Sequence, residues 1–231
     1  MSEDSRPFDF GDIGLAQVTS DWGFSRGLPV DRRYIEDFLA RNDGDIRGRV
    51  LEIGDNIYTL RFGGNRVTQS DVLDIRPRNP KATFVDDLTN ATTLPSGAFD
   101  CILCTQVLVL IRDVHSAIAE MCRMLKPGGV ALITMPGISH VSPLPVEAKA
   151  WSWSFYPNTF RWLLSQSAFD PESLSVEGHG NLKTTVAFLA GLAQQDLSPK
   201  DYETNDPCFP LIVTARAVKK QAPHANEESV P

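Results

Sequence analysis

The feature that most constrains this chain is a strand, helix, strand run between residues 99 and 135. Phe99-Asp-Cys-Ile-Leu-Cys-Thr105 is a mostly apolar run of strand length, and Val130-Ala-Leu-Ile-Thr-Met135 is a second. Between them Val114, Ala117, Ile118, Met121 and Leu125 recur at the spacing of a helix with one buried face. Asp113 is placed to cap that helix, and Pro127-Gly128-Gly129 stops it. Two sheet strands joined by a crossover helix run parallel, with right-handed connection. Strands this apolar along their length are covered on both faces, so helices are expected on either side of the sheet.

The alternation extends both ways along the chain. Asp31 reads as the cap of a helix to about Asn42, with Ile35, Phe38 and Leu39 as its apolar stripe. Further strands are expected at Arg49–Gly54, Arg66–Asp71, Ala82–Val85, Leu174–Val176 and Leu211–Val218, with helices at Thr159–Ser165 and Lys183–Gln195. The connection through Pro199, Pro207 and Pro210 suits a hairpin-like return, so the last strand is expected to be antiparallel. The predicted fold is α/β: a doubly wound seven-stranded sheet, mostly parallel, with helices on both faces. Residues 1–29 read as an irregular arm, 30–220 as one domain and 221–231 as a disordered polar tail. A chain of 231 residues buries roughly 70% of its unfolded surface and needs no disulfide or metal to fold.

Charge and cysteine usage narrow the function. The net charge of −7 argues against a nucleic-acid backbone or an anionic membrane as main partner. No apolar run approaches the roughly 18 residues of a membrane span, and Met1 to Asp12 lacks the pattern of a signal peptide. Cys101 and Cys104 lie three apart on one expected strand, so they face opposite sides. No second cysteine or histidine pair completes a metal set. Buried free thiols and a reducing cytoplasm are the expectation.

Ligands of an open parallel sheet bind beyond the carboxyl ends of its strands. Past strand one stands Glu52-Ile53-Gly54-Asp55-Asn56, where Gly54 lets a ligand approach the backbone and the following turn offers free N–H groups. Asp71, followed by Val72, is read as closing strand two, where a carboxylate can accept both hydroxyl protons of a ribose. Asp87 and Leu88 follow strand three, where a carboxylate and a backbone N–H can meet an adenine edge. Thr105 and Gln106 end strand four on the same crevice.

These residues sit in segments that resemble a class I S-adenosylmethionine-dependent methyltransferase of the large group often labelled type 11. Val50-Leu-Glu-Ile-Gly54 resembles its first motif, and Val67-Thr-Gln-Ser-Asp71 its second-strand motif. Leu94-Pro95-Ser-Gly-Ala-Phe99-Asp100 resembles the entry to strand four. Arg123-Met-Leu125-Lys126-Pro127-Gly128-Gly129 resembles the turn into strand five and is the most specific segment. Residues 22–39 and 150–219 resemble the flanks of a bacterial subgroup. The resemblance implies a Rossmann-like fold, S-adenosyl-L-methionine as cofactor, and methylation of a small-molecule or glycan-like acceptor. It implies Glu52 and Gly54 at the methionine moiety, Asp71 on the ribose, Asp87 and Leu88 on the adenine, and Thr105 and Gln106 beside the methionine part or sulfonium.

One departure stands out. The family motif continues with two further glycines, where this chain has Asn56 and Tyr58. Asn56 is expected to take the left-handed backbone that glycine would, and Tyr58 to add bulk near the site. This leaves open a second reading, a non-catalytic relative that binds a ligand. An oxidoreductase is disfavoured because no G-x-G-x-x-G fingerprint follows strand one.

His140, just past strand five, is the candidate general base, since histidine titrates near neutrality; a solvated loop side chain is the plain alternative. His179 is placed in a loop beyond strand six and offers a second candidate, while His115 and His224 read as inert. Trp151, Trp153, Phe155 and Tyr156 either close over an acceptor or, as favoured, anchor their segment. Trp22 and Phe24 admit the same two readings. Arg26, Arg32 and Arg33 read as surface side chains or as partners for an acidic group.

Overall fold

The computed structural model describes residues 14, 16–144 and 149–221. Met1 to Asp12, Pro145, His224 and the tail beyond Gln221 lie outside the described residues. Strands β1 (Gly48–Ile53), β2 (Val67–Asp74), β3 (Phe84–Val85), β4 (Phe99–Thr105), β5 (Leu125–Pro136), β6 (Ser175–His179) and β7 (Ile212–Val218) form one sheet. Their order is β3-β2-β1-β4-β5-β7-β6. The first five strands pair in parallel, and β7 runs antiparallel to both β5 and β6. The sheet is doubly wound and Rossmann-like, with the reversed last strand expected from the proline-rich return.

Helices α1 (Val30–Arg41) and α4 (Leu182–Leu189) cover one face, over Val50, Cys101, Leu103 and Leu132. Helices α2 (Val114–Met124) and α3 (Pro157–Ser165) cover the other, over Leu51, Ile102, Cys104 and Ile133. Successive strand residues thus feed two separate cores, and the two strand cysteines point to opposite faces. Burial pushes the Cys104 thiol up to about 12, so it stays protonated. Asp113 caps α2 by accepting the Ser116 N–H at 3.0 Å. Among the described residues no helix is long and apolar enough to cross a membrane.

Several boundaries differ from the sequence expectation. β2 continues to Asp74 because Val72 and Leu73 go on pairing with Glu52 and Ile53 and are buried. Asp31 does not cap α1; Pro29 precedes the helix, and Asp31 lies buried in its first turn. Helix α4 stops at Leu189, ahead of Gly191 with φ 77°, where a side chain would collide with the Thr19 carbonyl. His179 is the last residue of β6, not part of a loop. The link between β1 and β2, residues 54–66, holds a single wide helical turn (Thr59–Gly63) and a tight one (Gly64–Arg66) in place of a full helix.

The entry to β4 and the turn into β5 meet at Asp100. Its Oδ2 accepts the Arg49 N–H at 2.8 Å, and Lys126 Nζ lies 2.7 and 2.8 Å from its two oxygens. Gly48, with φ 65°, is required beside it, since a Cβ would collide with the carboxylate. Arg123 ties the segment before β4 to α2, donating to Ala91 O at 2.7 Å and Leu94 O at 3.0 Å. Burial works against the Asp100 charge, but the Lys126 ammonium and the Arg49 N–H outweigh it and hold the carboxyl below its usual range. A depressed folded pKa gives stability that is present above about pH 4 and is lost as pH falls through the folded value. Asp100→Asn should therefore cost about 1–2 kcal/mol at pH 7, a fall of roughly 3–6 °C in Tm. Its deficit relative to wild type should shrink below pH 4 in thermal scans; a pH-independent deficit would count against this account.

Candidate active site

β1 and β4 lie side by side in the sheet, with β2 and β3 on one flank and β5 on the other. That is the reversal of strand order at which ligands of such sheets bind. At the end of β1, Glu52 is buried and accepts the N–H groups of Thr59 at 2.7 Å and Tyr58 at 3.3 Å. Its carboxylate therefore organises the loop from within. Burial pushes its carboxyl above the ordinary range, with those N–H groups opposing. Gly54 has φ 89°, and nothing lies within 4 Å of where a Cβ would stand, so its backbone borders open space. Asp55 accepts from Lys81 Nζ at 2.7 Å and from the Asn56 N–H. Burial opposes its charge, and Lys81 outweighs that and holds the carboxyl below its usual range.

The expectation of a left-handed backbone at Asn56 does not hold. Among the described residues the non-glycine ones with positive φ are Trp22 and Gln106, so Asn56 keeps an ordinary backbone. Gly54 alone makes the turn. The Tyr58 ring packs with Phe62 at 5.9 Å and against the core beneath α1, and its hydroxyl pairs with Arg32.

On β2 the carboxylate at the strand end is Asp74, not Asp71. Asp71 sits three residues back, paired across the sheet with Leu51, and is held by Arg49 Nε at 2.7 Å and Gln69 Nε2 at 3.1 Å. Val72 is buried, its N–H taken by Thr83 Oγ1 at 2.8 Å. Asp74 is also buried and accepts the Arg76 N–H at 2.8 Å and Asn79 Nδ2 at 2.7 Å. The same Asn79 nitrogen reaches Gly54 O at 2.8 Å, which joins the ends of β1 and β2. Burial opposes the Asp74 charge, yet Arg76 and Asn79 hold its carboxyl below the usual range. Asp74 and Asn79 were missed in the sequence; the signal was the apolar pair Val72-Leu73, which carries the strand past Asp71.

After β3, Asp87 Oδ1 accepts the N–H and hydroxyl of Thr89, each at 2.8 Å, and Leu88 is a core residue. Thr105 ends β4 half-buried, and Gln106 follows with φ 56°, its N–H on Thr134 O and its amide on Thr134 Oγ1.

Beside Gln106 lies a cavity of about 260 Å³ walled by Trp22, Phe24, Asp31, Arg32, Trp151 and Phe188 among others. Both positive-φ non-glycine residues, Trp22 and Gln106, line it. Backbone strain of this kind persists where surroundings over-determine it and concentrates at functional sites. Asp31 is 7% exposed, and its Oδ1 has no hydrogen-bond partner. Burial pushes its carboxyl above the ordinary range, with Arg32 opposing. His140 lies with its ring stacked on Trp22 at 5.4 Å and tilted against Phe188 at 5.8 Å. Its Nδ1 is 2.9 Å from Val141 O; a carbonyl only accepts, so Nδ1 carries the proton. Nε2 is buried and has no hydrogen-bond partner.

The segment that brings Trp22 and Phe24 to the cavity is strapped to residues 189–196. Val18 N donates to Ala190 O at 2.8 Å, Thr19 Oγ1 to Gly191 O at 2.7 Å, and Arg26 pairs with Asp196 at 2.6 Å. Arg33 lies outside the cavity, paired with Asp37 on the surface. Of the later aromatics, Phe155 is buried against Phe160, Trp153 donates to Ile111 O, and Trp151 reaches the cavity. His179 is buried with Nε2 on Thr214 Oγ1 at 2.8 Å, and burial lowers its pKa, so it is a neutral core residue.

A family model described as a methyltransferase domain matches residues 30–172. No curated protein matches. Solved structures do. A SAM-dependent methyltransferase from Archaeoglobus fulgidus superposes with TM-score 0.54 at 13% identity, over 81% of this chain and 94% of that one. The N-methyltransferase NodS from Bradyrhizobium japonicum, in complex with S-adenosylhomocysteine, gives 0.55 at 16% identity over 87% and 93%. A Haemonchus contortus phosphoethanolamine N-methyltransferase, in complex with phosphomonomethylethanolamine and S-adenosylhomocysteine, gives 0.54 at 16% over 82% of this chain; the match spans 53% of that longer protein.

The burial of the Asp31 carboxyl has a consequence for stability. A raised folded pKa means that its contribution is favourable below the unfolded value near 4 and is lost as pH rises through the folded one. The ionisable side chains beside it are Arg32 and His140. Asp31→Asn removes the buried charge and keeps the shape, so in ligand-free protein it should raise Tm at pH 7–8, with the gain vanishing toward pH 4. A variant less stable than wild type at pH 8 would show that Asp31 has an effective counter-ion.

Proposed function

The chain belongs to the methyltransferase-domain family, and from that premise we propose that it moves a methyl group from S-adenosylmethionine to a small-molecule or glycan-like acceptor in the cavity beside Gln106. S-adenosylmethionine, when bound, supplies a methyl group already activated on a sulfonium. The observation that carries the reading is the open space at Gly54, flanked by a strand-end carboxylate on β2 and a strained Gln106 on β4. A glycine at φ 89° facing a void suits close approach of a ligand to the backbone.

Glu52 acts through the loop it organises, so that Gly54, Asp55 and Asn56 line the methionine end. Asp74 takes the ribose role that the sequence had suggested for Asp71, with Val72 packing behind it. Its present partner Arg76 is 73% exposed and can swing into solvent, freeing the carboxylate oxygens for two hydroxyl protons. The Leu88 N–H and Asp87 offer a donor and an acceptor to the adenine edge, and Thr105 and Gln106 orient the reacting end. His140 Nε2 accepts the proton that an acceptor hydroxyl or amine gives up. Trp22 and Phe24, strapped over the cavity, exclude water. Alignment supplies much of the acceleration in such a transfer. Residues 30–220 form the transferase domain, and the preceding arm shapes its acceptor side.

Thermal scans with S-adenosylmethionine, S-adenosylhomocysteine and NADH test this. At 100 times its dissociation constant a ligand adds about 2.7 kcal/mol, or roughly 5–10 °C for a domain of this size. The two sulfur ligands should shift Tm and NADH should not. Asp74→Ala should abolish the shift, whereas Asp71→Asn should lower the Tm of the free protein and keep the shift. The opposite pattern would return the ribose role to Asp71, and no shift in wild type would overturn the cofactor assignment.

A further inference from the structure

Two buried polar atoms have no hydrogen-bond partner: Asp31 Oδ1, on the wall of the cavity beside Gln106, and His140 Nε2, on a ring packed against the Trp22 and Phe188 walls. Leaving such atoms unsatisfied costs about 1–3 kcal/mol each, more when charged, so a protein keeps them where a ligand fills them. Asp31 lines the cavity, and the His140 ring is held between Trp22 and Phe188, which also line it. The two groups are close enough to interact electrostatically. Arg32 is the nearest cation to Asp31, but its guanidinium lies over the Phe24 ring at 5.9 Å and bonds the Tyr58 hydroxyl, and it leaves Asp31 Oδ1 unbonded.

A group that seats on Asp31 Oδ1 as a carboxylate oxygen must donate. A neutral hydroxyl would satisfy one atom, but two features favour a cation. A carboxylate 7% exposed and lacking a bonded counter-ion gains most from an N⁺–H donor, about twice what a neutral donor gives. The remaining walls include the ring faces of Trp22, Trp151 and Phe188, which attract cations. A volume of about 260 Å³ equals roughly eight waters at 30 Å³ each, enough for the amine-bearing ring or short chain of a larger molecule.

We propose that this cavity recognises an amine, a primary or secondary ammonium seated on Asp31 Oδ1 against the aromatic walls, with His140 Nε2 as its second partner. Its binding stands on the cavity alone; its identity as the methyl acceptor rests on the methyltransferase reading. In that role the ammonium gives one proton to His140 Nε2. The freed nitrogen lone pair forms the new N–C bond, and the electron pair of the broken S–C bond returns to the sulfonium sulfur. The product is a methylated ammonium, a neutral thioether and a protonated histidine.

The test is a thermal-shift and calorimetric panel on the full chain, with and without S-adenosylhomocysteine. It uses ring-sized amines matched with alcohol isosteres: benzylamine with benzyl alcohol, cyclohexylamine with cyclohexanol, glucosamine with glucose. Amines should bind at least tenfold more tightly than their partners. Asp31→Asn should erase that difference while leaving the S-adenosylhomocysteine shift intact, which also reports that the variant is folded. His140→Gln should keep most of the amine affinity and lose methyl transfer. Equal binding of amines and alcohols, or no binding of any amine, would overturn the proposal. Loss of the S-adenosylhomocysteine shift in wild type would overturn the methyltransferase reading instead, and the arm without that ligand would still decide the amine question.

Discussion

The carboxylate of Asp100 is the point on which the sheet is hung. It joins the backbone of β1 at Arg49 to the side chain of Lys126 at the start of β5, while itself belonging to β4. Three strands are thereby aligned at their amino ends, and a parallel sheet aligned at one edge is aligned at the other. The opposite edge carries Gly54, Asp74 and Gln106, whose usefulness depends on ending level. Motif residues at the far side of the molecule from the crevice thus make sense. They fix the register that brings the crevice residues together.

Much of this was legible. The strand, helix, strand run around residue 114 dictated the parallel core, and the prolines before β7 announced its reversal. The two cysteines on β4 divided between the cores as their spacing required. What misled was polarity without register. Asp71 looked like a strand end because a carboxylate inside a sheet is costly. Its partner Arg49 lies on the neighbouring strand, two residues from Leu51, and no local pattern shows that pairing. Asp31 looked like a cap for the same reason: its position suited one, and only the tertiary surroundings bury it in an aromatic cavity. His179 similarly drew attention for its glycine neighbours, yet Gly178 serves the close packing of β6 on Pro157 and Pro210, and Gly180 the close approach of Leu211 and Phe209.

The two halves of the site are built differently. The part around Gly54 stands on strand ends and on a loop that Gly54 turns with φ 89°. Internal hydrogen bonds from Glu52 and Asn79 hold it in place before any ligand arrives. The cavity beside Gln106 is walled by aromatic rings, an unpartnered Asp31 oxygen and two residues of positive φ. Rigidity serves the part that grips a constant molecule, and stored cost serves the part that must discriminate.

The strap between the arm and residues 189–196 carries a final implication for how the molecule comes into being. Arg26 and Asp196 are 170 positions apart, and their neighbours Thr19 and Gly191 are 172 apart. Strands β1 to β5, by contrast, lie within residues 48–136 and meet partners close along the chain. Closing a loop across most of a polypeptide is entropically late work, undertaken once the interior has condensed. On a ribosome residues 18–26 emerge long before residues 189–196, and the strap that seats Trp22 must wait for those later residues. The aromatic wall beside Gln106 is then the last surface to be completed, after the strand ends around Gly54 are in place.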